Sequence, residues 1–320
     1  MHEEGGTGPE HAVMIARSKE IWGPYVGNPK NPILTHRHLG KDYPIKYVGH
    51  GDIIQTPKGE WFMTMLAVRP LNRFTTMGRE TFLAKFIWED DWPVVNPGVG
   101  MLTEKVEIDL PEWDPEKDPA SYTCRTNGKT TIPGTAKSYD FASMKELGDE
   151  FLMLRNYADD MYKFDNGLLL KAGKDDIKAV ASPSYIAIRQ QHHHFKSSAS
   201  FDASALKAGE SAGLVLLQNN LYNLRAEVVD GKCKMILCQK GEEETIGETE
   251  ASGNVTVSIV VDGLNTKVLC GDKELGEASV ANLSTEVAGG FVGCCIGIYA
   301  SANGKDSDTY VNFSKLTYEF

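Results

Sequence analysis

Tight turns recur so densely along this 320-residue chain that only short β-strands fit between them. Apolar runs at 52–55 and 61–68 flank the sequence Thr-Pro-Lys-Gly, which is typical of a hairpin turn. Asp-Gly pairs at 230–231 and 262–263 indicate two further hairpins. Residues 1–108 contain no helix-period stretch of useful length, and the later part of the chain has almost none. The pattern therefore predicts an all-β protein.

The length favours two domains, because a domain takes about 150 residues. Residues 109–137 are rich in Pro, Asp, Thr and Gly, and we predict that they link a domain at 1–108 to a domain at 138–320. The predicted strands of the second domain are 184–189, 212–218, 222–229, 233–239, 255–261, 266–270, 290–299 and 310–320. Eight or more strands over about 180 residues indicate a β-sandwich or jelly roll.

The charge balance restricts the partners of the chain. It carries 33 Lys and Arg against 44 Asp and Glu, a net charge of −11. Such an acidic surface repels phosphate, so we expect neither nucleic acid nor an anionic membrane as a partner. No apolar run reaches the length of about 18 residues that a membrane span needs. The first residues show no signal-peptide pattern, so we expect a cytoplasmic protein or a piece of a longer chain.

Six cysteines form no CxxC pair and no zinc-binding spacing, and we expect reduced thiols in the core. Cys294 and Cys295 are adjacent, so a strand would point their side chains to opposite faces. All five tryptophans lie in the first 113 residues. Their flat faces suit either a hydrophobic core or stacking on sugar rings.

Two residues next to predicted strands are candidates for ligand binding. His50 lies between two glycines, which lets the backbone approach a metal ion or substrate closely, although a simple turn histidine has the same pattern. Arg79 enters the strand predicted at 81–88. Its guanidinium could hold sugar hydroxyls or a carboxylate, or pair with the adjacent Glu80.

Other clusters are weaker candidates. Glu3 and Glu4 are paired carboxylates, the groups that sugar hydrolysis uses, but on a strand they would face in opposite directions. His192 and His194 would share one strand face and could chelate a metal, or form a polar face against aromatic neighbours.

Several ordered motifs resemble glycoside hydrolase family 43, in its β-xylosidase/α-L-arabinofuranosidase branch. They are residues 11–25, 31–37, Val-Gly-His-Gly-Asp at 48–52, Gly-Glu-Trp-Phe-Met at 59–63, Gly-Arg-Glu-Thr-Phe at 78–82 and Trp-Pro-Val-Val-Asn-Pro-Gly at 92–98. Residues 181–183, 189–192 and 212–215 are similar to the concanavalin A-like β-sandwich that follows the catalytic domain there. The resemblance implies part of a five-bladed β-propeller at 1–108, about two blades, followed by the sandwich.

The resemblance also implies a chemistry, the inverting hydrolysis of xylosyl or arabinofuranosyl units by two Asp residues and a Glu general acid. The family motifs for these three carboxylates precede the part matched here, so we expect this chain to lack them. Glu4 resembles a later family glutamate, not the general acid. Glu4, Glu10 and Asp52 remain weak local candidates, with Asp52 placed by strand alternation on the same face as His50.

The resemblance assigns three residues to the sugar pocket. His50 resembles the histidine at the propeller centre, which binds Ca²⁺ directly or through water, or contacts substrate. Arg79 resembles the arginine that contacts the sugar, and Thr7 resembles a pocket threonine. His193 and His194 depart from the family pattern and receive no role.

Two functions remain open. In the first, the chain acts on xylo- or arabino-oligosaccharides when the missing N-terminal propeller part completes it. In the second, it is a non-catalytic carbohydrate-binding, structural or oligomerising module. Two blades alone expose strand edges, which favours association with the missing part or with a second copy as a homo-oligomer.

Overall fold

The computed structural model describes residues 1–107 and 136–320. The chain divides into two compact units, Met1–Thr130 and Thr131–Phe320. The predicted linker at 109–137 lies outside the described residues except for its last two positions, and Lys137 already belongs to a strand. In the described part of the chain, no helix is long and apolar enough to cross a membrane.

Unit 1 is built from short strands, as the turns predict. Its described strands are β1 (His2–Glu4), β2 (Ala12–Met14), β3 (Ala16–Arg17), β4 (Val26–Gly27), β5 (Leu34–Thr35), β6 (Lys46–Gln55), β7 (Trp61–Val68), β8 (Glu80–Glu89) and β9 (Trp92–Val95). They form a three-stranded sheet in the order β1-β2-β5, the pair β3-β4 and a four-stranded meander β6-β7-β8-β9. Strands β1, β2 and β5 all contact β6. This contact places the three-stranded sheet against the first strand of the meander.

The predicted hairpin between β6 and β7 is confirmed. Thr56 N–H donates to the Glu60 carbonyl at 2.8 Å, and Gly59, with φ of 84°, donates to the Thr56 carbonyl at 2.9 Å. Strand β8 contains the predicted strand at 81–88. The pattern did not predict β9, in which Pro93 is tolerated because β9 is an edge strand.

The core of unit 1 lies between the two larger sheets. Its fully buried members include Val13, Leu34, Ile45, Met63, Met65, Ala84 and Phe86. Next to this core, His36 is also buried and bonded at both ring nitrogens. Its Nδ1 donates to the Ile45 carbonyl at 2.8 Å, and its Nε2 accepts from Leu102 N–H at 2.9 Å. Only one neutral tautomer can make both bonds.

Unit 2 is a β-sandwich. Its strands are β10 (Lys137–Asp140), β11 (Tyr162–Phe164), β12 (Leu168–Lys171), β13 (Ser184–Arg189), β14 (His194–Asp202), β15 (Ser211–Asn219), β16 (Tyr222–Val229), β17 (Lys232–Gln239), β18 (Glu242–Glu250), β19 (Asn254–Asp262), β20 (Asn265–Cys270), β21 (Lys273–Ser279), β22 (Cys295–Ser301) and β23 (Tyr310–Glu319). The described helices are α1 (Thr285–Ala288) and two 3₁₀ turns, Ala203–Ala205 and Val280–Leu283. The all-β prediction is therefore confirmed.

Two sheets face each other across the core. One has eight strands, in the order β11-β12-β23-β14-β19-β20-β21 with β10 also on β23, and the other has six, in the order β13-β22-β15-β16-β17-β18. Leu214, Leu224 and Ile298 of the six-stranded sheet and Ile259 and Phe313 of the eight-stranded sheet are fully buried in one cluster. Both predicted Asp-Gly hairpins are present, joining β16 to β17 and β19 to β20.

The adjacent cysteines point to opposite faces, as predicted. Cys294 belongs to the core between the sheets, whereas Cys295 packs against a cluster on the other face of the six-stranded sheet. Strand β22 begins at Cys295, later than predicted, and Gly289 and Gly290 before it both adopt positive φ, of 78° and 81°. All described cysteines are free thiols.

The outer face of the six-stranded sheet carries a buried ionic network that the sequence did not predict. Arg225, 4 % exposed, donates to Glu227 at 3.2 Å, to Asn223 at 3.0 Å and to Glu243. Tyr299 donates its hydroxyl hydrogen to Glu227. Burial opposes the charge of Arg225, but the neighbouring anionic groups outweigh it and raise its pKa. The guanidinium is therefore firmly cationic inside the protein.

Candidate functional site

His50 lies on a bulge of strand β6. The pairing of β6 with β7 shifts between Lys46 and Gly49 and again between Gly49 and Asp52. At the bulge Tyr47 and His50 have positive φ, of 53° and 56°. His50 is exposed, so the bulge turns the imidazole away from the ladder into open space. We predicted from strand alternation that His50 and Asp52 lie on the same face. The register shift interrupts that alternation, although both side chains are exposed.

The ring of His11 packs against the backbone of this bulge. His11 is 3 % exposed, and its Nδ1 donates to the Tyr47 carbonyl at 3.0 Å. A Cβ added to Gly49 would lie 2.1 Å from His11 Nε2, far inside contact distance. Glycine is therefore required at position 49 because the ring occupies the space of a side chain. The sequence predicted a close backbone approach beside His50, but not that a histidine makes it.

Glu3 fixes the other side of the bulge. Its Oε1 accepts a hydrogen bond from Gly51 N–H at 2.9 Å. Its Oε2 is buried and lies 3.9 Å from His11 Nε2. Glu3 and His11 thus hold the backbone on both sides of His50. Sequence reasoning considered Glu3 only as one of two paired carboxylates and missed this contact, because Gly51 is 48 positions away along the chain.

The predicted carboxylate candidates lie in different surroundings. Glu4 faces away from Glu3, as strand alternation predicted, and accepts from Arg37 Nη2 at 2.8 Å while remaining about half exposed. The same Nη2 donates to the backbone carbonyl of Glu10 at 2.6 Å. Arg37 therefore connects Glu4 to the loop between β1 and β2, and the role of Glu4 in this contact is structural. Glu10 and Asp52 are exposed.

The remaining pocket candidates are carried by separate segments. Thr7 is half-buried in the loop between β1 and β2, and Arg79 is half-buried immediately before β8. Glu80, considered as a partner of Arg79, accepts two hydrogen bonds from the Arg69 guanidinium, at 2.9 and 2.7 Å. The grouping of Thr7, His50 and Arg79 in one pocket stays a prediction.

A calcium ion at His50 needs more ligands than this histidine provides. Ca²⁺ takes about six to eight ligands, which are oxygen atoms. Within residues 1–107 and 136–320, no group of three or more His, Cys, Asp or Glu side chains is placed to hold a metal. Calcium at His50 stays a prediction.

The consecutive histidines of unit 2 take separate partners. The His192 ring stacks on Phe320 with centroids 3.7 Å apart, and its Nδ1 lies 3.3 Å from the Tyr318 hydroxyl. His194 Nδ1 lies 2.6 Å from Asp262 Oδ1 at the start of β14. The aromatic stacking agrees with the structural alternative. The described surroundings of these rings contain no metal-binding group.

Comparison with known proteins gives a consistent result over both units. Residues 138–319 match the family model described as Beta xylosidase C-terminal Concanavalin A-like domain, and residues 1–93 match Glycosyl hydrolases family 43. A xylosidase/arabinosidase of Butyrivibrio fibrisolvens is 40 % identical, over 100 % of this chain and 61 % of its own length. The non-reducing end α-L-arabinofuranosidase BoGH43B of Bacteroides ovatus is 31 % identical, over 98 % of this chain and 58 % of its own length.

Solved structures agree over nearly the whole chain. The GH43 protein BlXynB of Bacillus licheniformis superposes with a TM-score of 0.83 at 27 % identity, covering 99 % of this chain and 61 % of its own. The GH43B protein of a Bacteroides ovatus xyloglucan locus gives a TM-score of 0.83 at 29 % identity, with 99 % and 62 % coverage. The chain thus spans about three fifths of the length of these relatives.

Proposed function

Because the chain belongs to glycoside hydrolase family 43, with part of the catalytic domain followed by the concanavalin-like sandwich, we propose that it acts in the hydrolysis of xylosyl and arabinofuranosyl units. Two relatives that match the whole chain or nearly all of it are named xylosidase/arabinosidase and α-L-arabinofuranosidase. In this proposal the chain contributes the floor of the sugar pocket through Thr7, His50 and Arg79.

The observation that carries the proposal is the presentation of His50. A β-bulge has strain to maintain, and here the carboxylate of Glu3 and the ring of His11 stabilise it from two sides. Such bracing is expected where an exposed imidazole must be held in position for a ligand.

The proton transfers of this reaction come, in the proposal, from carboxylates outside the described residues. Inverting hydrolysis needs an acid and a base about 6.5–9.5 Å apart, with a water molecule between the base and the sugar. Glu4 is engaged by Arg37, which makes it a poor general acid, and Asp52 follows the bulge on an exposed strand end. We assign the acid and base to the two fifths of the relatives' length that this chain does not span.

The test uses a fusion, in which the N-terminal part of the Butyrivibrio relative that this chain does not span is joined to this chain. We expect the fusion to cleave nitrophenyl β-xyloside or nitrophenyl α-L-arabinofuranoside, and His50→Ala and Arg79→Ala each to lower kcat/KM by about a hundredfold or more. His38→Ala, an exposed histidine away from the bulge, is the matched control. Assays of the fusion with and without Ca²⁺ test whether its activity depends on the metal.

The isolated chain is assayed in parallel. Turnover by the isolated chain that Glu4→Gln or Asp52→Asn abolishes would contradict the assignment of acid and base. An active fusion that tolerates both His50→Ala and Arg79→Ala would contradict the pocket residues.

A second function, sugar binding without turnover, is favoured by one observation. Trp22 is 94 % exposed, and Tyr25 beside it is 60 % exposed. Flat aromatic faces of this kind stack on sugar rings, and they are also suited to contact a further propeller part or a second copy. Calorimetric titration with xylo- and arabino-oligosaccharides, together with the mass in solution of wild type and Trp22→Ala, separates these cases. Binding lost in Trp22→Ala supports a sugar site, and a changed mass supports an interface.

A further inference from the structure

Two cysteines from different sheets of the sandwich meet at its margin. Cys233 lies on β17 of the six-stranded sheet, and Cys270 ends β20 of the eight-stranded sheet. The two thiols are close enough to shift each other's pKa. Cys233 is fully buried, whereas Cys270 is partly exposed and packs against the same core cluster. One thiol of the pair is therefore accessible to a small solute, and the other is beneath it.

The strand registers independently place these positions side by side. Thr249 is directly opposite Cys233, and Lys273 is directly opposite Cys270. Lys273 Nζ donates to Thr249 Oγ1 at 2.9 Å. This bond connects the Cys270–Lys273 pair of one sheet to the Cys233–Thr249 pair of the other. The neighbouring strands β18 and β21 are close, since a Cβ on Gly247 of β18 would lie 1.9 Å from the Leu275 carbonyl oxygen of β21.

The two thiols are chemically unequal. Hydrogen bonding between the two thiols and the charge of Lys273 lower the pKa of Cys270 against the effect of burial. The same bond, with burial, raises the pKa of Cys233. Cys270 is partly exposed and directly opposite Lys273, whereas Cys233 is fully buried. Cys270 is therefore the thiol that ionises and attacks, and Cys233 is the thiol that follows.

We propose that Cys233 and Cys270 form a redox modification site, at which a hydroperoxide converts the two thiols into a disulfide that joins the two sheets. The Cys270 thiolate attacks a peroxide oxygen and the O–O bond breaks. Sulfur is oxidised to a sulfenic acid, and the leaving hydroxide takes up the proton that Cys270 released. The Cys233 sulfur then attacks the Cys270 sulfur, the S–O bond breaks, and hydroxide leaves with the Cys233 proton. For hydrogen peroxide, two thiols and one peroxide yield one disulfide and two waters.

The bond would stabilise the sandwich. It encloses the segment between β17 and β20, including the hairpin partners β18 and β19, and restricts the unfolded chain. The site does not depend on the glycosidase proposal, because it lies wholly within unit 2.

The test treats the reduced full chain with hydrogen peroxide and maps the cysteines by non-reducing peptide mass spectrometry. We expect a Cys233–Cys270 linked peptide that dithiothreitol removes, and slower amide hydrogen exchange in β17 and β20 while it is present. With Cys233→Ser we expect the reaction to stop at a sulfenic acid on Cys270, trapped by dimedone. Cys238→Ser, on the opposite face of the same strand, is the matched control and keeps the disulfide.

Other outcomes would overturn the proposal. They are peroxide that leaves both thiols free, a disulfide between other cysteines at lower peroxide concentration, or a dimedone adduct on Cys233 instead of Cys270. Should the Cys233 variant not fold, dimedone competition on the wild type gives the same assignment of the attacking thiol.

Discussion

The carboxylate of Glu3 accepts a hydrogen bond from the backbone N–H of Gly51 at 2.9 Å and thereby joins the first strand of the chain to the bulge that carries His50. The bond links two sheets of unit 1, because β1 belongs to the three-stranded sheet and β6 to the meander. The geometry of His50 consequently depends on a residue remote from it in sequence.

Removing this carboxylate should destabilise unit 1. We expect Glu3→Ala to lower the free energy of unfolding by about 1–3 kcal/mol, since the partly buried Gly51 N–H loses a charged acceptor. Glu3→Gln should recover part of the loss, because its amide oxygen still accepts. The matched control Glu4→Ala breaks a half-exposed ion pair and should cost about 0.5 kcal/mol. Urea unfolding followed by tryptophan fluorescence measures unit 1, since all five tryptophans lie in the first 113 residues. Equal losses for Glu3→Ala and Glu4→Ala would contradict the role of Glu3.

A methyl group at position 49 should be poorly tolerated. Gly49→Ala places Cβ 2.1 Å from His11 Nε2, and we expect a loss of about 3 kcal/mol, because the ring is buried and bonded to Tyr47. Gly6→Ala, with no neighbouring atom within 4 Å of its Cβ, should be nearly neutral. The double variant Gly49→Ala/His11→Ala should lose less stability than the sum of the two single-variant losses, because the clash is absent once the His11 ring is removed. Simple additivity in the urea midpoints would show that the clash does not exist.

The same residues show which features a sequence can predict. The β6–β7 hairpin was predictable, because Pro and Gly in a four-residue turn act locally. The opposite orientation of Glu3 and Glu4 followed from strand alternation. The bulge was not predictable, since alternation assumes an unbroken register. The supports from Glu3 and His11 also escaped prediction, because each depends on how distant strands pack.

The ionic network of the sandwich was missed for a related reason. Asn223, Arg225 and Glu227 alternate with apolar residues along β16, and this pattern is typical of a solvent-facing strand side. In the structure that side is covered, and Arg225 is 4 % exposed. Burial by segments that are distant along the chain leaves no local sequence signal.

Breaking this network should affect unit 2 strongly. Arg225→Ala leaves Glu227 and Glu243 without their shared cation, and we expect a loss of about 3–5 kcal/mol. Lys232→Ala removes an exposed pair with Glu248 on the same sheet and should cost about 0.5 kcal/mol. Thermal unfolding by far-ultraviolet circular dichroism, with hydrogen exchange of the β16 and β17 peptides, assigns the loss to the sandwich. A change below that of Lys232→Ala would contradict a structural role for the buried cation.

The stability of unit 1 should fall in mild acid because of His36. Burial lowers the pKa of His36 below its usual value of 6.5, a hydrogen bond to Ile45 opposes the shift, and Lys46 adds to it. The unfolded chain therefore binds a proton at higher pH than the folded chain does. The stabilisation is fully present above about pH 6.5 and is lost as the pH falls toward the folded pKa, by at most about 1.4 kcal/mol per pH unit.

Urea midpoints from tryptophan fluorescence, measured between about pH 8 and pH 5, test this dependence. We expect the slope below pH 6.5 to become shallower in His36→Asn, which has no group that titrates there. The exposed His38 makes His38→Gln the matched control, and it should keep the wild-type slope. Protonation of His36 is unfavourable in the folded protein because Nε2 accepts a hydrogen bond from Leu102 N–H. A protonated Nε2 would direct its own hydrogen at that N–H. An identical slope in His36→Asn and wild type would show that His36 does not set the acid sensitivity of unit 1.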